Sequence, residues 1–163
     1  MDVLTECVTF AQRAPTGFNT QAYVAIVVRS AEDRENLAGA MIDANVGKIK
    51  QAPVAVVFAA DCEHDPNVST EAWAYKQTTF AVATFLYAAQ VHGLATCPME
   101  GLDQAKVKKA LNIPDRYSIP VVVALGHENP DAKPAKPSVR LPPKEVFFEG
   151  KFGQPLENLF EEN

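Results

Sequence analysis

The chain has 163 residues, of which 47% are hydrophobic and 21% are charged. This length and composition suit one folded domain with its own core, and they exclude a disordered tail or a fibre. The net charge is −5 and the sequence has no basic run, so nothing in it indicates a nucleic-acid or anionic-membrane partner.

The cysteine content indicates a reducing compartment. The three cysteines, an odd number without a short pairing spacing, are Cys7, Cys62 and Cys97. The first residues lack the basic and apolar regions of a signal peptide. The most apolar stretch, 73–93, contains Lys76 and other polar residues, which favours a buried helix over a membrane span. We therefore expect a cytoplasmic protein.

The first half of the chain predicts helices alternating with buried strands. The elements are a helix over 2–13, a turn over 14–19, a strand over 22–28, a helix over 31–43, a short helical or irregular piece over 45–51 and a strand over 54–60. Ala14 ends the first helix because it precedes a proline. Ser30 is placed to cap the second helix.

The second half contains one unusually apolar helix. The elements are a polar loop over 61–70, a helix over 71–92, a helix over 103–111, a strand over 119–125, an extended proline-rich stretch over 130–143 and a possible strand over 146–152. Thr70 and Asp103 are suited to cap the two helices. A helix that is apolar around most of its circumference must be covered, which suggests a subunit interface. We expect one domain over 1–163, with 128–163 as a proline-rich C-terminal arm that reaches a second subunit.

Most standard catalytic signatures are absent, including G-x-S-x-G, the phosphate-binding G-x-x-x-x-G-K-[ST] and G-x-G-x-x-G. The run D-C-E-H-D over 61–65 has metal-ligand types, but without a second cluster we favour an acidic loop and expect no metal. Cys97 has no adjacent base or cation that would make it a nucleophile. His92 lies at the end of the apolar helix and His127 at the end of a strand. A histidine at such a position is more often structural or exposed than catalytic.

Several segments carry residues that suit a bound flavin mononucleotide (FMN). The flavin ring needs donors near its N1 and O2 atoms, because reduction places negative charge there, and it needs packing on one face. Asn19 and Gln21 supply amides before a strand. Asn45 and Lys48 are three residues apart, so they lie on the same side of a helical turn. The segment 98–101 is a tight backbone stretch that suits the ring face.

Arg140 has the fork geometry that suits a phosphate. Each of these residues could also have an ordinary structural role. Asn19 and Gln21 can cap a turn, Lys48 can lie in solvent, and Arg140 can be a surface residue of the proline-rich arm.

Taken in order, these segments resemble the nitroreductase family. Residues 14–21 read A-P-T-G-F-N-T-Q and resemble the family's A-P-S-x-x-N-x-Q. Residues 45–48 read N-V-G-K, and Ala52-Pro53 and a strand follow, as in the family. Residues 92–103, H-G-L-A-T-C-P-M-E-G-L-D, resemble the end of its long dimer helix and its P-x-E-G-[FL]-D segment. The resemblance covers about residues 5–150.

The resemblance implies an α+β fold with a small mixed sheet flanked by helices. It also implies a homodimer, with the long buried helix at the interface and two FMN sites between the subunits. Carried over by position, the first loop lines the flavin, Asn45 and Lys48 face the ring's polar edge, the 98–101 segment packs along the ring, and Arg140 holds the phosphate. The implied cofactor-binding residues are Thr16, Gly17, Asn19, Gln21, Asn45, Lys48, Pro98, Met99, Glu100, Gly101 and Arg140.

The implied reaction is ping-pong hydride transfer from NAD(P)H to a small nitroaromatic or quinone acceptor. The flavin carries the chemistry, so no catalytic side chain is expected. Family members usually begin with a further helix that carries an R-R-S-x-R-like run for the phosphate, and this sequence has no such run. We therefore expect Arg140 to carry a larger share of phosphate binding. The alternatives are a non-catalytic flavin-binding or flavin-free dimeric interaction protein, or a specialised flavoenzyme on the same scaffold.

Overall fold

The computed structural model describes residues 2–65, 70–131 and 138–156. The chain divides into two compact units, Met1–Asn129 and Pro130–Asn163. The helices of the first unit are α1 (Val3–Gln12), α2 (Ala31–Ala38), α3 (Asp43–Gln51), α4 (Glu71–Val91) and α5 (Gln104–Leu111). Its strands are β1 (Tyr23–Val28), β2 (Val54–Asp61), β3 (Ala95–Met99) and β4 (Tyr117–Gly126), and residues 17–19 form a short turn.

The four strands form one sheet in the order β1-β2-β4-β3, and every neighbouring pair is antiparallel. The α+β class is therefore confirmed, whereas a mixed sheet is not what the described strands form. The reason lies in the order of the strands. Since β2 and β3 are both antiparallel to β4, they run in the same direction, but β4 separates them and no parallel pair arises.

Helices cover both faces of the sheet, which explains the continuous apolar runs of the two central strands. Side chains alternate between the faces of a strand. Val57 and Val122 pack in the cluster that includes Leu37, Ile49 and Val107 of α2, α3 and α5. On the other face, Val56, Phe58 and Val123 pack with Cys7 of α1 and Phe85 of α4. The rings of Phe58 and Phe85 meet edge-on at 5.6 Å between centroids, which joins α4 to the sheet.

The predicted helix caps are confirmed. The side chains of Ser30, Thr70 and Asp103 accept hydrogen bonds from the backbone N–H three residues later, at 3.0–3.1 Å. The predicted single helix over 31–43 is wrong, because α2 ends at Ala38 and α3 begins at Asp43. Between them the backbone of 40–42 pairs with 101–103 instead of continuing a helix.

Two strand predictions also need correction. Residues 95–99, which we had not assigned to a strand, form the edge strand β3, where Pro98 is tolerated because one side of an edge strand needs no partner. The possible strand over 146–152 is wrong. In the second unit, helix α6 (Pro143–Val146) starts at a proline, and Gly150 and Gly153 with φ of +68° and +84° turn the chain. Residues 132–137 of the proline-rich stretch lie outside the described residues.

Within the described residues, helix α4 is covered on one side only. Its buried residues include Gln77, Thr78, Phe85 and Ala89, whereas Phe80, Tyr87 and Val91 are 45%, 76% and 83% exposed. The exposed residues Phe80, Tyr87 and Val91 recur at helical spacing, so they form a stripe. None of the described helices combines the length and apolar character needed to cross a membrane.

Candidate functional site

Two stretches that are about 60 residues apart in sequence meet in a short antiparallel pairing, which we call the junction (residues 40–48 with 99–103). The Ile42 backbone N–H donates to the Gly101 carbonyl at 3.1 Å, and the Asp103 N–H donates to the Ala40 carbonyl at 2.8 Å. Met41 and Leu102 form the bridge between these two bonds. The junction fixes the start of α3 against the segment that follows β3.

Asn45 connects two other predicted site residues, Lys48 and Gly101, within the junction. It is 7% exposed. Its Nδ2 donates to the Gly101 carbonyl at 3.2 Å, and its Oδ1 accepts from Lys48 Nζ at 3.0 Å. The approach of Asn45 to Lys48 that their spacing predicts is therefore observed. Because the buried amide is bonded at both ends, it holds the Lys48 ammonium at a defined place beside Gly101.

Gly101 is required by space and not by backbone conformation. A Cβ at this position would lie 2.4 Å from Ile42 Cδ1 and 3.0 Å from Asn45 Nδ2. Its φ is outside the left-handed range in which glycine is favoured. The close approach of the two backbones therefore explains the glycine of the predicted M-E-G-L segment.

A cavity of about 640 Å³ lies beside the junction. Its lining includes Lys48, Gln51, Pro53, Cys97, His127 and Asn129. This volume lies in the range of small-molecule and cofactor sites, about 300–1,000 Å³. Lys48 therefore presents its charge to an open, partly polar space.

A second cavity, of about 310 Å³, lies where β3 faces α4. We call it the β3–α4 groove, and its lining includes Pro98, Glu100, Tyr75, Thr79 and Leu86. Burial raises the pKa of Tyr75, whose hydroxyl accepts a 3.2 Å hydrogen bond from Gln104 Nε2, so the hydroxyl is neutral at neutral pH.

Met99 alternates with Pro98 and Glu100 along the chain and is buried on the other face, in the core. Its side chain therefore faces away from the β3–α4 groove, and it can offer a ligand there only its backbone.

The loop over 16–21 is attached to α4. Gly17 N–H donates to Gln77 Oε1 at 2.5 Å, and the Gln21 N–H donates to Thr16 Oγ1 at 3.1 Å. A Cβ at Gly17 would lie 3.3 Å from Trp73 Cζ2, so the loop lies directly on the indole. Asn19 and Gln21 are exposed, and Gln21 Nε2 donates to the Asn19 carbonyl at 3.3 Å.

Helix α4 separates the loop from the β3–α4 groove. Successive residues of an α-helix are about 100° apart around its axis, so residues two apart differ by about 200°. The loop contacts Trp73 and Gln77, whereas the groove is lined by Tyr75 and Thr79. The two predicted parts of the site therefore lie on opposite sides of α4 in one copy of the chain.

The remaining predicted site residue, Arg140, lies in the second unit. It is exposed, and its Nη1 donates to the Ser138 carbonyl at 3.5 Å. This long bond leaves most of the guanidinium donors at the surface.

Other residues that could take part in catalysis or metal binding have structural partners. Asp61 is buried at the end of β2 and pairs with Arg116 at 3.0 Å, so it is not part of an exposed acidic loop. His92 pairs with Glu6 at 3.0 Å and thereby joins α4 to α1. In the described ranges, no group of three His, Cys, Asp or Glu residues is placed to hold a metal.

Sequence reasoning missed two residues that position the site. Gln77 anchors the loop, and Ile42 limits the space at Gly101. A glutamine within an otherwise apolar helix was a usable signal for the first, because a buried amide needs a partner.

Comparison with known proteins gives the family. The sequence model of the nitroreductase family matches residues 43–127, which is more than half of the chain. The chain belongs to the nitroreductase family. This confirms the resemblance stated above and the oxidoreductase class that it implied.

Individual relatives have names that fit this family. An NADH dehydrogenase of Thermus thermophilus is 29% identical, with 90% of this chain and 84% of the relative covered. A Streptomyces griseus protein named NADH dehydrogenase/NAD(P)H nitroreductase is 31% identical, with 72% and 69% covered.

Solved structures show the same fold. A nitroreductase family protein from Streptococcus pneumoniae superposes with a TM-score of 0.79 at 19% identity, with 91% and 90% of the two chains covered. A nitroreductase from Exiguobacterium sibiricum, solved in complex with FMN, gives 0.78 at 17% identity, with 88% and 84% covered.

Proposed function

We propose that this oxidoreductase binds FMN at the junction and transfers hydride from NAD(P)H to a small nitroaromatic or quinone acceptor. The observation that carries the proposal is the bonding of Asn45 to both Lys48 and Gly101. It brings together three residues that the sequence assigned to one flavin site from two distant segments. The names of the relatives, NADH dehydrogenase and NAD(P)H nitroreductase, support the nicotinamide donor.

The residues present fit an FMN ring. Lys48 offers a fixed ammonium for the polar edge of the ring. β3 lies at the sheet edge, so one row of its backbone groups has no partner strand among the described residues and can face a ligand. Pro98 and the wall of α4 offer apolar surface for the ring face. When bound, FMN supplies the hydride chemistry.

In this proposal the chain's own residues position the ring and stabilise its reduced form. Lys48 places positive charge where the reduced ring is anionic, and Asn45 holds Lys48 there. Gly101 keeps the junction closed, so that the backbone after β3 stays in place. Donor and acceptor use one site in turn, which is the ping-pong order.

We also propose a homodimer through α4. The exposed stripe of Phe80, Tyr87 and Val91 has no cover among the described residues, and it lies about 40–80° around the helix from Gln77, on the loop's side. A second copy on this stripe would bring its β3–α4 groove towards the loop. The two parts that α4 separates in one copy would then meet across the interface. A cytoplasmic location belongs to the same proposal, and three free cysteines support it.

Arg140 is proposed to bind the FMN phosphate, which its exposed guanidinium supports. A hydrogen bond to a charged group contributes about 1.5–3 kcal/mol, so Arg140→Ala should weaken FMN binding at least about tenfold. Riboflavin, which lacks the phosphate, should bind the variant nearly as well as FMN does. Lys144→Ala in the same unit is the control. Unchanged FMN affinity in Arg140→Ala would place Arg140 on the surface, without a role in binding.

The proposed function is tested by titrating the protein with FMN while following flavin fluorescence, and then by assaying NAD(P)H oxidation with a naphthoquinone. We expect saturable quenching and parallel double-reciprocal lines, the kinetic sign of a ping-pong order. Intersecting lines would contradict the shared site. Absence of saturable binding up to high micromolar FMN would instead support the non-catalytic alternative.

A further inference from the structure

The apex of the loop combines strained backbone with an exposed aromatic ring. Phe18, Asn19 and Gln21 have φ of +54°, +54° and +51°. A left-handed φ is uncommon for residues other than glycine and is an outlier for a bulky side chain. Phe18 is also 86% exposed. Neither the backbone nor the burial of its ring therefore favours a phenylalanine at this position within one copy.

The strain persists because the loop is fixed at both ends. Gly17 is bonded to Gln77, and the Gln21 N–H is bonded to Thr16 Oγ1. A strained conformation that the surrounding structure imposes is typical of functional sites. Here the conformation holds the Phe18 ring away from the body of its own subunit.

The direction of the loop indicates where the ring acts. The loop lies on the side of α4 that carries the exposed stripe, and the β3–α4 groove of the same copy lies on another side. Under the proposed function, a second copy packed on the stripe meets this loop. Phe18 then stands at the flavin site of the other subunit.

We propose that Phe18 is an acceptor-specificity residue, whose ring stacks on flat aromatic acceptors bound at the flavin site of the second subunit. This inference rests on the proposed function. Aromatic rings attract one another beyond the effect of area burial. An acceptor that cannot stack gains nothing from this ring, so Phe18 discriminates between acceptors without taking part in the transfer.

The test isolates the acceptor step. FMN-loaded protein is reduced chemically without NAD(P)H, and its reoxidation is followed by stopped flow with menadione or with ferricyanide, which is not a flat aromatic molecule. Phe18→Leu, which keeps an apolar side chain of similar size, should lower the rate constant for menadione about two- to tenfold. The ferricyanide rate constant should stay unchanged, and Phe18→Tyr should retain the menadione rate.

Two controls separate a lost ring from a damaged site. Trp73, the single tryptophan, lies against Gly17, so its emission reports on the position of the loop. Sedimentation of each variant reports on the dimer. Equal slowing with both acceptors, or no slowing with menadione, would overturn the inference while leaving the proposed function intact. If the unmodified protein binds no FMN, the proposed function itself fails.

Discussion

The junction and the loop were both assigned to one site from sequence, but opposite physical reasons hold them in place. At the junction, Gly101 has an ordinary φ, and glycine is favoured there because the Ile42 and Asn45 side chains crowd the position of a Cβ. In the loop, three residues adopt a φ that favours glycine, and none of them is glycine. The junction has a glycine where two backbones pack closely. The loop has side chains at positions where their backbone conformation is strained.

This difference bears on how each region contributes to a site. In the junction, Asn45 is buried and bonded at both ends of its amide, so the junction can fix a charge and a backbone in one subunit. The loop depends on a few bonds to α4 and to itself, and it presents its side chains outwards. A fixed cradle and an outward-facing aromatic loop suit a site that two subunits share.

The largest expected effect comes from breaking the proposed dimer, which separates the loop of one subunit from the junction of the other. Tyr87 is the middle residue of the exposed stripe and is 76% exposed. Tyr87→Glu should convert the dimer to a monomer at micromolar concentration, because an unpaired carboxylate is costly to bury. FMN affinity should fall with it. Asn36→Glu adds the same charge on the exposed surface of α2, which packs on the other face of the sheet, and should leave the dimer intact. A monomeric unmodified protein in sedimentation would refute the shared site.

The next effect tests space at the junction. Gly101→Ala should destabilise the protein by about 1 kcal/mol, because the new Cβ displaces the half-exposed Ile42 side chain and crowds the bonded Asn45 amide. Thermal unfolding should then shift down by about 2–4 °C per kcal/mol. The FMN affinity should drop as the backbone after β3 moves.

Two variants check the cause of the Gly101→Ala effect. Gly47→Ala in α3, where the nearest atom would be 3.9 Å away, should stabilise the protein by about 0.5–1 kcal/mol. Ile42→Ala combined with Gly101→Ala should recover part of the loss, since it removes the clashing atoms. Simple additivity of the two changes would show that the contact is not the cause.

The contrast also shows what could be predicted from sequence. Periodicity and caps predicted α1, α4, α5 and three of the strands, because burial patterns and N-caps are local. The strand β3 was missed because Pro98 and short polar residues hide an edge strand, whose pairing is decided by β4. The break after α2 was missed for a similar reason, since the backbone of 40–42 is taken by residues 60 positions away.

The sequence predicted the segments of the candidate site but not how they are arranged. The meeting of Asn45 with Lys48 follows from helical spacing, and it is observed. The bond from Asn45 to Gly101 and the attachment of Gly17 to Gln77 depend on tertiary packing, which no local pattern encodes. The left-handed φ of Phe18 contradicts its local preference, so sequence reasoning could not have placed it.

A smaller effect concerns charge at the junction. Lys48 is exposed, so the water-screened limit of about 1 kcal/mol for two charges at about 4 Å applies to it. If it faces the anionic reduced ring, Lys48→Ala should lower the flavin midpoint potential by about 20 mV for a two-electron couple. Lys50→Ala, whose amine pairs with Glu35 at 2.6 Å, should not change the potential. Equal shifts in both variants would mean that Lys48 acts only through net charge.

The smallest effect isolates the strain at the apex of the loop. Phe18→Gly and Phe18→Ala both remove the ring, but only glycine relieves the left-handed φ of +54°. The left-handed conformation costs an L-residue about 1–2 kcal/mol, partly offset by the greater freedom of glycine in the unfolded chain. Phe18→Gly should therefore be more stable than Phe18→Ala by up to about 1 kcal/mol, which thermal unfolding resolves as about 2–4 °C. The same comparison at Gly101 also favours glycine but for another reason, because a Cβ there would crowd the Ile42 side chain while the φ is ordinary. If the two Phe18 variants unfold at the same temperature, the loop stores no strain, and its conformation needs no functional explanation.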